Sequence, residues 1–307
     1  MLSEQRAAAA AWPAGVDLTC LHGDRSDWRA KTVLVPAVFR EWHGHGPPQH
    51  LLAQYPVFLY QRLNASAPCF CANRGYESGV YFKFVAEHYA RLPAFVAFIQ
   101  GDWVFYTKQA RGGAFQFWQP SCMGQPGSPW SEYMPLGGRR SVWPPRCVFR
   151  QTSWYGKFVG RGRAPVVEAC ARELLHIMEW PGVVRPYDRA RPLNITFYTN
   201  MNFVASRARL QRYPHHVYRT LARRFVDDGL CVPGGGGGGG GGGGRDVLAA
   251  TGVVDVPEIA KYTLGMATEL LQQTIFGDVP LEDGPPPVVP QDAQHCGMPA
   301  ATKCSPA

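Results

Sequence analysis

The chain reads as an α/β protein built on a mostly parallel, Rossmann-like sheet with helices on both faces. Three observations predict this. Apolar runs such as 31–39 (KTVLVPAVF) and 95–99 (FVAFI) are continuous rather than alternating, as in strands buried on both faces. Between them lies a segment whose apolar residues recur every three or four positions, the helical period. The succession strand, strand, helix, strand is the order in which helices carry the chain between parallel strands.

Taken in order, residues 1–30 are Ala-rich and then polar, and are expected to be a disordered N-terminal segment. A single α/β domain is expected over 31–278. Its first strand is 31–39, where Pro36 hints at a bulge or an edge. Residues 55–62 (YPVFLYQR) read as a second short strand. Tyr81, Phe84, Val85, His88 and Tyr89 then mark a helix that Leu92-Pro93 stops, and 95–99 is the next strand. Residues 103–163, rich in Trp, Gly, Pro and Arg, show no period and read as a functional insertion or a set of short irregular strands. Residues 164–180 form an amphipathic helix with Val167, Cys170, Leu174, Ile177 and Met178 on one side. A strand follows at 193–198. Ser206 then caps a basic helix interrupted near Pro214. The glycine run 234–244 is a flexible loop, a last helix spans 257–276 before Gly277, and 279–307 is a disordered Pro-rich tail.

Composition narrows the classes of function. Hydrophobic residues at 46% and aromatics at 12% of 307 residues supply a sizeable core and exclude disorder of the whole chain. A formal charge of +8 suits a nucleic-acid partner, but no RNA- or DNA-binding motif accompanies it. The positive residues are mostly Arg among many Ala, Gly and Pro, so no specific nucleic-acid partner is expected. The nine cysteines are scattered and odd in number; they define neither a disulfide framework nor a zinc site, and read as small buried hydrophobes. No apolar stretch approaches the length of a transmembrane helix or a secretory leader, so the default expectation is a soluble, intracellular protein. The sequons Asn64-Ala65-Ser66 and Asn194-Ile195-Thr196 then read as chance.

The chemistry concentrates around one helix–strand unit. Asn73, Arg74 and Glu77 precede or open the helix, and Gln100-Gly101-Asp102 follows the strand. Polar groups at both ends of such a unit are costly unless they face a shared cleft. A right-handed crossover brings the start of the helix and the end of the next strand to the same sheet edge, where ligands of open α/β sheets bind. Asn73 and Glu77 either cap the helix or, with Arg74, hold an anion there. Asp102 either caps a turn or serves as a hard carboxylate ligand for Mg or Mn. Asn200 and Asn202, in YTNMNFVAS, either form turns or bind substrate hydroxyls. Glu41 either pairs with a nearby Arg, the favoured reading, or contacts a ribose or base; Arg207, Arg209 and Arg212 make a solvated helix face or else a phosphate clamp; and His215-His216 reads as surface. No P-loop, G-x-S-x-G elbow or Ser-His-Asp set is present.

Asn73, Gly75, Glu77, Tyr81, Tyr89, Leu92, Pro93, Phe98, Gln100, Gly101 and Asp102 follow a pattern of the form N-x-G-R-E-x-x-x-Y-L, a helix, Y-x-x-L-P and F-L-Q-G-D. This block resembles a family of uncharacterised proteins of fungi, algae and bacteria, classed as a domain of unknown function. The flanks agree: Phe39-Arg40-Glu41 approximates the family's Tyr-Asn-Glu, and 269–277 its closing helix. The order Arg74-Gly75 and the presence of Gly79 where the family often has His are departures. The family's layout is similar to that of A-type nucleotide-sugar glycosyltransferases, which is analogy of fold. The family itself supplies no activity; the fold analogy, with Asp102 where the strand 95–99 runs out, gives the expectation of metal-assisted nucleotide-sugar transfer with Asp102 as the metal ligand and Mg or Mn as the ion. A second reading is a non-catalytic module binding a glycan or small polar ligand in the same cleft. It draws on Gln100, which stands where an Asp-x-Asp pair would place its other acid.

Overall fold

Pro36 decides how far the sheet grows on one side. A computed structural model describes residues 20–24, 26–38, 52–62, 65–66, 68–73, 76–101, 132–135, 146–149, 164–179, 193, 195–198, 201–228, 231, 267–268, 271 and 275–276. Strand β2 (Thr32–Ala37) pairs along its whole length with β4 (Phe95–Gln100), in parallel, from Thr32↔Phe95 to Ala37↔Gln100. On its other side it meets β3 (Val57–Phe58), also in parallel, at Leu34↔Val57. The Leu34 N–H donates to the Pro56 carbonyl at 2.9 Å, so even-numbered residues of β2 turn their N–H toward β3. The next of these is Pro36, which has no N–H to donate. The ladder therefore ends, and the strand expected over 55–62 is two residues long.

The remaining pairings run antiparallel. Strand β1 (Leu21–His22) adds to β3, β8 (Phe203–Ser206) to β4, and β5 (Tyr133–Pro135) to β8, giving the order β1-β3-β2-β4-β8-β5. Strands β6 (Arg146–Phe149) and β7 (Ile195–Tyr198) form a separate antiparallel pair. The protein is thus a mixed α/β structure, and the expectation of a mostly parallel sheet is corrected: among the described strands only β3, β2 and β4 run parallel. Continuous apolar runs report burial of both faces, not strand direction. All four residues of antiparallel β8 (FVAS) are buried, like those of parallel β4's centre.

Helix α1 (Tyr76–His88) connects β3 to β4 and packs on β2 and β4. Its buried Tyr81, Phe84 and Val85 meet Val33, Val35, Val96, Phe98 and Phe203 from one sheet face. On the other face Leu34, Ala97, Ile99 and Val204 are also fully buried, so both faces are covered. Tyr89–Arg91 tightens the helix end into a 3-10 turn, and Leu92-Pro93 leads into β4. The residues at 267, 268, 271, 275 and 276 are helical and buried, and Phe276 packs against Phe203 with ring centroids 4.7 Å apart.

Three further expectations change. Residues 20–30 carry β1 and a 3-10 turn at Trp28–Ala30, because Leu21 and Trp28 are buried in the core. Helix α2 (Ala164–Ile177) is not one-sided: Val166 to Leu175 are all buried, including Glu168, Arg172 and Glu173. The Glu168 carboxylate accepts from Arg172 and from the Leu193 N–H, both at 2.9 Å, which is how such a charge is kept inside. The cysteines are not all thiols, since Cys20–Cys69 and Cys170–Cys231 are disulfides and Cys71 is a buried free thiol. Sequence separations of 49 and 61 residues left no local signal of either pairing.

The basic segment splits as Pro214 requires. Ser206 Oγ accepts from the Arg209 N–H at 3.0 Å and caps α3 (Arg207–Leu210), and Pro214 precedes α4 (His215–Leu221), which continues as a π turn through Asp227.

Candidate functional site

The start of α1 and the end of β4 meet at the same sheet edge. Gln100 closes β4 with the same alternation as Val96 and Phe98, which places its side chain on the face that α1 covers. There its Nε2 donates to Glu77 Oε1 at 3.1 Å. Glu77 sits in the first turn of α1, where its charge is favoured by the unpaired N–H groups of the helix start. Both side chains are half-buried.

Asn202 completes the constellation from the segment entering β8. It is fully buried, and its Oδ1 accepts the Gln100 backbone N–H at 2.7 Å while its Nδ2 donates to Gln100 Oε1 at 3.2 Å. The direction of this chain of bonds follows from one fact. A backbone N–H can only donate, so the oxygen of the Asn202 amide must face it. That turns Nδ2 toward the Gln100 oxygen, which leaves the Gln100 nitrogen facing the acceptor-only carboxylate of Glu77. Asn202 is thus the anchor, Gln100 the link and Glu77 the acceptor on α1 in a network across three elements.

Tyr81 holds the anchor in place. One turn beyond Glu77 on α1, its buried hydroxyl donates to the Met201 carbonyl at 2.8 Å, immediately before Asn202. Sequence reasoning took Tyr81 for core alone; the signal available was its four-residue spacing from Glu77. Asn202 was among the residues expected to bind a ligand, but as a turn former or a direct contact rather than as a buried anchor. Asn73, three residues before α1, is exposed. Arg74, Asp102, Asn200 and Glu41 lie outside the described residues, as do the glycine run at 234–244 and the tail.

Several polar residues prove to be structural. Arg209 is buried rather than solvated, its Nε donating to the Phe276 carbonyl at 2.8 Å. Arg207 Nε donates to the Leu92 carbonyl at 2.7 Å, and only Arg212 fits the exposed face, paired with Glu132. His215 is half-buried rather than on the surface: it stacks on Tyr89 at 4.8 Å and bonds the Ala86 carbonyl, while His216 is exposed. Tyr89 in turn donates to the Tyr213 carbonyl at 2.7 Å.

A second polar group lines the far half of α1. The Tyr60 hydroxyl donates to Glu87 at 2.6 Å, and Lys83 pairs with the same carboxylate at 2.6 Å. Burial pushes the neighbouring Cys71 thiol up to about 11, and burial followed by the Glu87 charge raises Tyr60 well above the ordinary phenol range. A thiol held protonated in this way is a poor nucleophile.

Among the described residues no cluster of three or more His, Cys, Asp or Glu is arranged to hold a metal. No described helix is long and apolar enough to cross a membrane. No protein-family model, curated protein or solved structure matches the chain.

Proposed function

We propose that the edge where α1 begins and β4 ends binds a hydroxyl-rich ligand, a nucleotide sugar, in a glycosyltransferase-like α/β domain. The observation that carries this reading is the Glu77–Gln100–Asn202 network. It holds a half-buried carboxylate beside a half-buried carboxamide, at the edge where α/β sheets take their ligands. A carboxylate accepts from hydroxyls and a carboxamide both donates and accepts, the complement of vicinal sugar hydroxyls. In this reading Asp102, two residues beyond Gln100 in the chain, supplies a carboxylate for Mg or Mn, which neutralises charge on the leaving diphosphate. The resemblance to the uncharacterised fungal, algal and bacterial family belongs to the same proposal.

A second reading, a non-catalytic module for a glycan or small polar ligand, is favoured by one detail. Gln100 stands where an Asp-x-Asp pair would place its other acid, and its uncharged carboxamide, bonded to Asn202 and Glu77, supplies no second carboxylate for a metal. A thermal-shift screen separates the two. UDP- and GDP-sugars are tested with and without Mn, beside free oligosaccharides. A ligand at a hundred times its Kd stabilises the native state by about 2.7 kcal/mol, enough to read as a clear shift. A shift with nucleotide sugars that requires Mn and vanishes in Asp102→Asn supports transfer. A metal-independent shift with oligosaccharides supports the binding module. No shift with either class rejects both.

A further inference from the structure

We infer that this chain folds in a thiol-oxidising compartment, where the two disulfides found among the described residues form as part of folding. Cys20, just before β1, is joined to Cys69, and their Cα atoms lie 6.3 Å apart across 49 residues. Cys170 within α2 is joined to Cys231, with Cα atoms 5.8 Å apart across 61 residues. Both spacings fall in the range that a disulfide requires without moving the backbone.

Each bridge also has one cysteine in the left-handed region that non-glycine residues seldom adopt, Cys69 at φ 52° and Cys231 at φ 66°. A covalent tie is one constraint that holds such a conformation, which Asp27 and Glu179 adopt without a bridge. The first bridge also ties down a short element otherwise held by the buried Leu21 and its pairing with β3. Strand β1 is two residues long on the edge of the sheet, and Cys20 leads directly into it. The second ties the core side of α2 to the segment after the π turn, with both cysteines buried.

Each bridge forms by two exchanges. One cysteine thiolate attacks the disulfide of a thiol–disulfide oxidoreductase, giving a mixed disulfide and releasing one oxidant thiol. The second cysteine then displaces the other oxidant sulfur. The oxidant ends as a dithiol, having gained the two electrons and two protons that the cysteine pair lost. The reducing cytosol of most cells opposes this step, and oxidising compartments favour it. Cys71 does not compete: it lies two residues from Cys69, yet it is fully buried and unbridged.

The test is differential alkylation of the full chain in the cells that make it. Cells are quenched in acid and the protein is alkylated with N-ethylmaleimide under denaturing conditions. It is then reduced, alkylated with iodoacetamide and mapped by mass spectrometry. Cys20, Cys69, Cys170 and Cys231 are expected to carry the second label and Cys71 the first. The first label on Cys20 and Cys170 would overturn the inference, as would bridges mapped to other partners. In a secreting eukaryotic host, C170S should lower the yield of secreted protein severalfold and C71A should leave it unchanged. Equal yields from both variants would also count against it.

Discussion

Phe84→Ala is the sharpest test of the packing that positions the site. Phe84 is fully buried where α1 lies on the sheet, edge-on to Phe58 at 5.3 Å and to Phe98 at 6.1 Å between ring centroids. Roughly 150 Å² of apolar surface at about 25 cal/mol per Å² is worth about 4 kcal/mol, and truncation series for buried phenylalanine give about 3–5 kcal/mol. That is a large share of the roughly 5–15 kcal/mol by which a domain is stable. Urea denaturation followed by circular dichroism measures the loss, with an unchanged m-value showing that the unfolded reference is the same. Lys83→Ala on the same helix is the control. It removes the ion pair with Glu87, whose side chains are 19% and 25% exposed, and should cost less than about 1 kcal/mol. A loss below about 1 kcal/mol for Phe84→Ala would refute the placement of α1 on the sheet.

Three further outcomes follow from named contacts. Tyr81→Phe, which deletes only the hydroxyl bonded to the Met201 carbonyl, should cost about 1–3 kcal/mol by leaving a buried acceptor unpaired; denaturant titration reads it. Asn202→Leu should destabilise by a similar roughly 1–3 kcal/mol because the Gln100 N–H loses its acceptor, whereas Glu77→Gln, at the half-buried end, should cost under about 1 kcal/mol; the reverse ranking would place the anchor at the wrong end. Folding raises the Cys71 thiol to about 11, so the stability tied to its protonated form is whole below the unfolded value, near about 8.5, and is lost as pH climbs through that window. Stability measured from pH 8 to 11 should therefore fall less steeply in Cys71→Ala than in the wild type.

The elements that could be read from the sequence are those whose residues carry their own signal. Helix α1 was legible because Tyr81, Phe84, Val85 and His88 repeat at its period, and β2 and β4 because their apolar runs are unbroken. Strands β1, β3, β5 and β8 were missed or misjudged because two to four residues carry no period; pairing partners far along the chain define them. Pro36 was noticed, but its effect on β3 depends on which neighbour its missing N–H would have faced. The approach of Glu77 to Gln100 was legible from crossover handedness. The burial of Asn202 was not, since its partner lies 102 residues away and Asn before a strand usually signals a turn. Arg209 misled for the same reason: a run of arginines on a helix suggests solvent, and only the distant Phe276 carbonyl explains its burial.

Whether the α1–β4 edge is a ligand site is tested most directly by hydrogen–deuterium exchange on the wild-type protein, with UDP-glucose and Mn, and separately with an oligosaccharide mixture. If the α1–β4 edge is the binding site, one of these additions should slow exchange in the peptides covering 76–79, 100–101 and 201–203 and leave the far half of α1 unchanged. Glu77→Gln should lose that protection while keeping the exchange pattern of the rest of the fold. Protection confined to other segments, or unaltered in Glu77→Gln, would contradict the assignment of Glu77, Gln100 and Asn202 to a ligand site and leave them a purely structural bridge between helix and sheet.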